Sequence, residues 1–475
     1  MPRIPLFAPP NTSDEAIGLS SQAERVVDGF FDSTGALRKR PGLEEFCDLS
    51  SSSGIVGLYY WVENDELLAV SNQTLYSISS TGVATQKTAQ IFSFSGMCSF
   101  APVKPGGTQK IVIANGVQMY LYDGSTATAI SDADAPQAVT HVDFVDQYIL
   151  ANSTESGDES RFFWSNVNDP TTWDAVDLSD VEGRPDNLTV LKVGWREVFL
   201  GGPRSIEFFY NDGVSPFARI NGASVNDGVG APQTVQFFNN TWCYLNTKRQ
   251  FVMLNGRVPQ QISQQIDRSI QDLTTISDAV AFITEAGGRS FYVATFPTEN
   301  KTFAYDFTSG YWAEWGNWNI AMQRYDRHKG LTSAYDHVRN KWFIGDYGTG
   351  KIFTSSLTDY DDGGDPIRTM IQTPWIDFNT DVRKRSDKLT FRIKAGMGKD
   401  GGNSASGFSV KYRDTNEGQF GNARTISMGA GGDHFFYREL RRNGIYRARQ
   451  YQIIHSDSAE FSILKAEEEA ILLGS

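Results

Sequence analysis

Cysteine is scarce. The chain of 475 residues holds three, Cys47, Cys98 and Cys243, far apart in sequence and without a CxxC pair. That excludes a disulfide framework and a cysteine-built zinc site, and it reads as buried small hydrophobes in a reducing compartment. The five histidines, His141, His328, His337, His434 and His455, include no HExxH or HxH spacing, so a histidine-built metal site is not expected either. No apolar run approaches the ~20 residues that a membrane helix needs. Basic charge is also in deficit: 43 Lys and Arg stand against 56 Asp and Glu, a net charge of −13. Proteins that hold duplex DNA non-specifically do so by neutralising phosphates, so the chain as a whole repels DNA, local basic patches aside. Residues 1–10 carry one Arg and four prolines, a stretch too short and broken for a secretory signal, and Sec export is not expected.

What the chain has in quantity is aromatic side chains and glycine: 31 Phe, 19 Tyr, 10 Trp and 44 Gly. Aromatics suit pleated, half-buried surfaces and glycine suits tight turns, so the pair predicts many short strands. With 40% hydrophobic and 21% charged residues the composition is that of a globular protein of two or three domains.

The fold class expected is all-β: a β-propeller of about seven blades followed by a C-terminal β-sandwich. Residues 1–54 read as an N-terminal extended arm and closing strand. Prolines 2, 5, 9 and 10 forbid helix there, and Val26–Phe31 alternates as a strand. Residues 55–364 repeat loosely. An alternating strand such as Ile55–Tyr60 or Leu188–Val193 precedes a more apolar one such as Glu66–Val70 or Arg289–Ala294. An aromatic strand such as Met119–Tyr122 or Lys301–Phe307 follows and closes on a turn. Starts near 55, 94, 139, 187, 233, 281 and 325 give the period of four-stranded blades, and ring closure covers the faces that an isolated blade leaves open. Within this region Ile262, Ile266 and Ile270 fall at i, i+4, i+8, which predicts a short helix over 259–270. Tyr360–Pro366 is a turn-rich acidic boundary, and the strands of 365–475 suit a β-sandwich.

Motifs with catalytic connotations fail on context. Gly345–Lys351 has the spacing of a phosphate-binding loop, but Ile352 stands where a hydroxyl must hold Mg²⁺, and a blade hairpin explains it. Gly396–Gly401 matches GxGxxG, yet a second glycine-rich stretch and a strand follow instead of a helix. Ser165–Trp173 lacks the Asp and Gly of a sialidase Asp box, and its Pro-Thr-Thr turn ends on a Trp that staples a blade corner. No GxSxG elbow occurs, and no pair of carboxylates is singled out. Neither a cofactor nor enzymatic activity is expected.

Two basic clusters stand out as assembly contacts: Arg38, Lys39 and Arg40 in the arm, and Arg438, Arg441, Arg442, Arg447 and Arg449 near the C-terminus. Guanidinium forks grip carboxylates on a neighbouring subunit; solvated strand faces and, for the second cluster, nucleic-acid contact are the alternatives.

Gln22–Phe31 with Gly35–Phe46, then Arg161–Ser165 through Asp177, Asp186–Phe199, Ile206–Tyr210 and Arg447–Ile454 with Phe461–Leu464, resemble in their order the packaged-DNA stabilization, or tail hub, proteins of short-tailed bacteriophages. The resemblance implies a structural virion protein of the tail, assembled in the host cytoplasm. It implies a homo-oligomeric ring, a hexamer, below the portal and its adaptor ring, which closes the portal exit, stabilises packaged DNA and carries tailspikes or fibres. It also implies a central plug or needle as partner, and DNA passing through the ring without sequence-specific binding. The alternative reading is a glycan-binding or glycan-cleaving receptor-recognition propeller, with Trp312, Trp315 and Trp318 stacking on sugars.

Overall fold

Each four-stranded blade must bury both faces of its second strand against its neighbours, and that demand is written in the chain. Leu67–Val70, Ile111–Ala114, Ile149–Ala151, Val198–Leu200, Trp242–Leu245 and Phe291–Ala294 are continuous apolar runs, all buried. In the computed structural model, which describes residues 3–7, 25–87, 96–181, 186–213, 216–396, 398–399, 404–415, 418–434 and 437–474, each run is the second strand of a blade. Pro9 and Pro10, residues 22–24 of the arm, the start expected near 94 and part of the glycine-rich loop 396–402 lie outside the described residues.

Six blades are each made of four consecutive antiparallel strands, with innermost strands Ile55–Trp61, Ser99–Val103, Val142–Val145, Val190–Gly194, Gln236–Phe238 and Val280–Ala286. Two-residue hairpins connect several first and second strands. Asp146–Gln147, Trp195–Arg196, Asn239–Asn240 and Gly287–Gly288 each place both central residues at positive φ, as the twist of a tight hairpin requires. The sequence period predicts about seven blades; six blades of consecutive strands are found, and the seventh period falls on a composite sheet. Gly330–Asp336, Lys341–Asp346 and Lys351–Ser356 take their fourth strand, Gly42–Asp48, from the N-terminal segment, pairing Ile352 with Cys47 and Ser356 with Gly42. This closes the ring, because the chain passes directly from that strand into the first blade. Gly345 of the composite sheet packs against Ile55.

The C-terminal region is a two-sheet sandwich. One sheet orders Gly29–Phe31, Leu37–Lys39, Ser462–Leu472, Lys384–Ile393 and Tyr437–Arg441, with Arg3–Pro5 on a further edge of Ser462–Leu472. The other orders Thr369–Gln372, Gln450–His455, Ser406–Arg413 and Arg424–Gly429. Phe391, Ile393, Phe408, Val410, Ile453, Phe461 and Ile463 fill the space between them. This second sheet does not end at the sandwich. Arg25–Val27 pairs antiparallel with Thr369–Gln372 and, through Val27 and Glu314, parallel with the outer strand Tyr311–Glu314 of the sixth blade. Propeller and sandwich therefore share one nine-stranded sheet. They also share one core, in which Phe291, Tyr311 and Phe353 join the sandwich residues.

The helix expected over 259–270 is a correction. Val258–Gln261 is instead the outer strand of the fifth blade, where Pro259 sits at an edge and its missing N–H matters little. Only Asp267–Gln271 is helical. The isoleucine spacing arises because Ile262, Ile266 and Ile270 all face the core between the fifth and sixth blades.

The closing strands carry the ring's integrity. Ile352→Ala should lower stability by about 2–5 kcal/mol, as for a buried aliphatic, while Val83→Ala on an exposed turn should change it by no more than ~0.5 kcal/mol. Chemical denaturation checks this; equal effects would mean that the ring is not closed there.

Candidate assembly surfaces

The innermost strands converge on the propeller axis, where a ligand or a passing polymer would lie. The space left is about 210 Å³, lined by residues of every blade, including Tyr59, Phe100, His141, Asp143, Lys192, Gln236, Phe282 and Thr332. Burial pushes the Asp143 carboxyl up to about 6, against the opposing pull of the Val193 and Phe144 amides and Lys192. Burial also pushes the His141 imidazole down to about 3, with the Lys192 charge adding to it. Among the described residues Asp143 is the one carboxylate in this lining, and no second one stands beside it as a glycosidase pair requires. The tryptophans of the glycan alternative are engaged within the fold. Trp312 and Trp315 are buried blade core, and Trp318 lies beneath the Arg368 guanidinium, which sits 3.5 Å from its ring centre.

Ser406, His455 and Asp457 meet inside the sandwich, but not as a nucleophilic relay. The Ser406 hydroxyl lies 3.1 Å from both His455 Nε2 and Asp457 Oδ2, so the serine and not the histidine is the middle member. All of His455 is buried and stacked on Phe461. Among the described residues no group of three or more His, Cys, Asp or Glu side chains is placed to hold a metal.

The N-terminal basic cluster splits. Arg38 is half-exposed and pairs with Asp32 at 2.7 Å. Lys39 is buried and donates from Nζ to the Asp457 carbonyl at 2.7 Å; burial, with the Arg40 charge adding to it, pushes its ammonium down to about 7. Arg40 is fully enclosed and uses all five of its N–H donors. Nε donates to Asp28 at 2.6 Å, Nη1 to Asp362 at 3.0 Å and to the Pro41 carbonyl at 2.9 Å, and Nη2 to Asp362 at 2.5 Å and to the Gly316 carbonyl at 3.1 Å. Asp28 Oδ1 also accepts the Gly316 amide at 2.8 Å. The two acids fare differently. Burial pushes Asp28 up to about 6, because it holds Arg40 by one bond and its Oδ2 has no partner. Burial acts upward on Asp362 as well, but the two-point grip of Arg40 outweighs it and keeps that carboxyl below its ordinary value.

The C-terminal cluster splits in the same way. Arg449 is buried, forks onto Asp414 at 2.6 and 2.9 Å, and stacks between Tyr412 and Tyr446 at 3.9 and 4.3 Å. Arg438, Arg441, Arg442 and Arg447 remain toward solvent: Arg438 donates to the Ser427 carbonyl at 3.0 Å, Arg441 pairs with Glu439 at 2.7 Å, and Arg447 donates to the Asp381 carbonyl. Lys39, Arg40 and Arg449 are thereby withdrawn from the expected contacts. Burial makes them internal ties, neither docking groups nor a solvated strand face.

The sequence reading missed a recess of about 470 Å³ at the seam between the sixth blade and the sandwich, lined by Arg25, Lys301, Glu314, Trp318, Arg324, Arg368 and Lys411. Its residues come from five distant segments, so no local pattern signals it.

Two measurements bear on the Arg40 junction. Arg40→Met should cost about 3–5 kcal/mol by leaving two buried carboxyls without their cation, while Arg38→Ala should stay within ~0.5 kcal/mol; denaturant titration distinguishes them. The folded chain also keeps a proton on Asp28 between its ordinary value of 3.8 and about 6, a proton that the unfolded chain releases. That contribution is complete below the lower value and is lost as pH rises through the upper one. The stability gained by the native chain over Asp28→Asn should therefore grow as pH falls across this window, and a constant difference would contradict the assignment.

The sequence model of a family described as "Bacteriophage P22 Gp10, beta-propeller" matches residues 23–356. No curated protein sequence matches the chain. Solved structures with a similar course include the extracellular domain of a hybrid two-component system from B. thetaiotaomicron, at 10% identity and TM-score 0.44, covering 82% of this chain and 47% of that one. The chain thus spans about half the length of that structure. Others are the N-terminal domain of Nup159, at 10% identity and TM-score 0.40, covering 70% and 99%, and an auxiliary nutrient binding protein from Bacteroides thetaiotaomicron VPI-5482, at 9% identity and TM-score 0.39, covering 67% and 76%.

Proposed function

We propose that this chain, which belongs to the bacteriophage P22 Gp10 stabilisation family and is thereby a structural phage protein, is the tail hub, or head-to-tail connector, of a short-tailed phage. In this reading six copies form a ring below the portal and its adaptor ring, close the exit on packaged DNA, carry tailspikes or fibres, and receive a central plug or needle. The protein acts as a rigid part and not as an enzyme.

The observation that carries the reading is the combination of a filled axis with a shared sheet. A space of about 210 Å³ passes no duplex, so DNA runs outside the propeller, along a lumen bounded by several copies. Continuity of the sixth blade with the sandwich gives each copy a fixed shape. A ring that withstands the push of packaged DNA needs such a shape, because each interface fixes its angle only as well as the protomer holds its own. A net charge of −13 per copy favours a lumen along which DNA slides without adhering.

Arg441 and Arg442 are the exposed members of the basic strand end and serve as inter-subunit contacts. Sedimentation of the purified chain alone should give a monomer, and addition of the portal–adaptor complex should drive ring formation on it. Alanine at both Arg441 and Arg442 should weaken that assembly while leaving the melting temperature unchanged. Failure of the native chain to bind any portal–adaptor complex would overturn the hub reading, and full assembly by the double variant would remove these arginines from the interface.

A further inference from the structure

Between the sixth blade and the composite sheet the chain makes a detour that ring closure does not need. Gly316–Asn319 and Arg324–Arg327 pair only with each other, as a two-stranded hairpin outside every blade. Its base is pinned on three sides. Arg40 donates to the Gly316 carbonyl at 3.1 Å, Arg327 lies 3.7 Å over the Tyr347 ring, and the Tyr325 hydroxyl donates to the Arg368 carbonyl at 3.0 Å. Its tip is bare: Ile320 is 76% exposed and Met322 64%. A pinned base with two uncovered apolar side chains at the tip is the geometry of a contact surface, since such residues otherwise cost solubility.

Behind this hairpin lies the recess of about 470 Å³ at the seam. Five cations, Arg25, Lys301, Arg324, Arg368 and Lys411, line it against two acids, Glu314 and Asp326. Arg25 pairs with Glu314 at 2.6 Å and Arg324 with Asp326 at 2.9 Å. Lys301, Arg368 and Lys411 have no carboxylate partner among the described residues. On a chain of net charge −13, this is a local surplus of the opposite sign beside an apolar lip.

We propose that hairpin and recess together dock an extended acidic segment of another particle protein, its carboxylates entering the recess and an aliphatic side chain packing on Ile320 and Met322. Charge complementarity selects an anion, and the apolar tip selects a peptide over a phosphate backbone. Glu314 and Asp326 in the same wall work against a polyphosphate, and the recess admits side chains and not a duplex. The inference rests on the reading of the chain as a structural phage protein only for the source of the segment; the chemistry of the site stands on its own.

Fluorescence anisotropy of the full chain with a fluorescein-labelled peptide of alternating Glu and Leu tests it. The peptide should bind at low salt and be released at about 1 M salt, where the screening length is ~3 Å. Lys301→Glu with Lys411→Glu should weaken it about tenfold or more by placing like charges together, and Ile320→Ser with Met322→Ser several-fold. Arg368 is left in place in both variants because its stack on Trp318 supports the hairpin. Absence of binding, binding by both folded variants as tight as by the native chain, or displacement of the peptide by a duplex oligonucleotide would overturn the proposal. Peptide binding by a chain that fails to assemble on the portal–adaptor complex would sink the hub reading and leave this site standing.

Discussion

One buried guanidinium holds the molecule's parts in register. Arg40 reaches Asp28 in the N-terminal segment, Gly316 at the exit of the sixth blade and Asp362 beside the closing strand, with every donor used. Asp28 extends the same junction into the sandwich, because its carbonyl accepts the Thr369 hydroxyl at 2.9 Å. A buried ion pair of this kind is a poor source of net stability, since desolvation offsets most of the attraction. Its value is geometric: five directed bonds from a planar group allow one arrangement of four chain segments, and any other leaves buried charge unpaired. Asp28 adopts φ 53°, an uncommon backbone for a non-glycine residue, which turns the chain from the nine-stranded sheet, where Arg25–Val27 pairs, into the other sheet of the sandwich, where Gly29–Phe31 pairs.

That junction explains why closure and rigidity come together. The strand Gly42–Asp48, which closes the ring, begins two residues after Arg40. A Cβ on Gly42 would lie 2.4 Å from the Asp359 carbonyl oxygen, so the segment leading to Asp362 lies directly against the closing strand. Closing the propeller thus places both acids around Arg40, and the bonds to Arg40 fix the sandwich against the rim. In the hub proposed above, such coupling matters because a hinge between propeller and sandwich would let each interface tilt independently.

Much of this was legible in the chain. The second strands of the blades announce themselves as unbroken apolar runs because neighbouring blades cover both their faces, and turns such as Asn239–Asn240 and Gly287–Gly288 announce themselves because they need positive φ, whereas Trp195–Arg196 adopts the same geometry without that signal. The sandwich strands alternate because one face is buried and the other wet. The signatures from Gln22–Phe31 to Ile206–Tyr210 that resemble the phage proteins overlap residues 23–356, which the family model matches, while those at Arg447–Ile454 and Phe461–Leu464 lie beyond it. What was not legible depends on long-range pairing. Arg38, Lys39 and Arg40 form a basic triplet in sequence, and nothing local tells that strand alternation turns Lys39 inward or that Asp362, 322 residues away, receives Arg40. Arg449 likewise reads as one of several arginines until Asp414 and two tyrosines enclose it. The isoleucine stripe misled because a strand edge followed by a single helical turn faces the same core as a longer helix would. The period gave the last propeller unit a start near 325 but not its fourth strand, because that strand comes from the N-terminal segment.

In the proposed hub this chain is a rigid, axis-filled module that works by standing in a ring around DNA. Electron microscopy of the chain assembled on a portal–adaptor complex, with DNA retained in the particle, tests it most directly. The account predicts a closed ring of copies, each with propeller and sandwich in the relative orientation fixed by the Arg40 junction, and with DNA density in the lumen between copies. DNA density threading a propeller axis, or sandwiches rotated away from their propellers with the Arg40 junction broken, would contradict it.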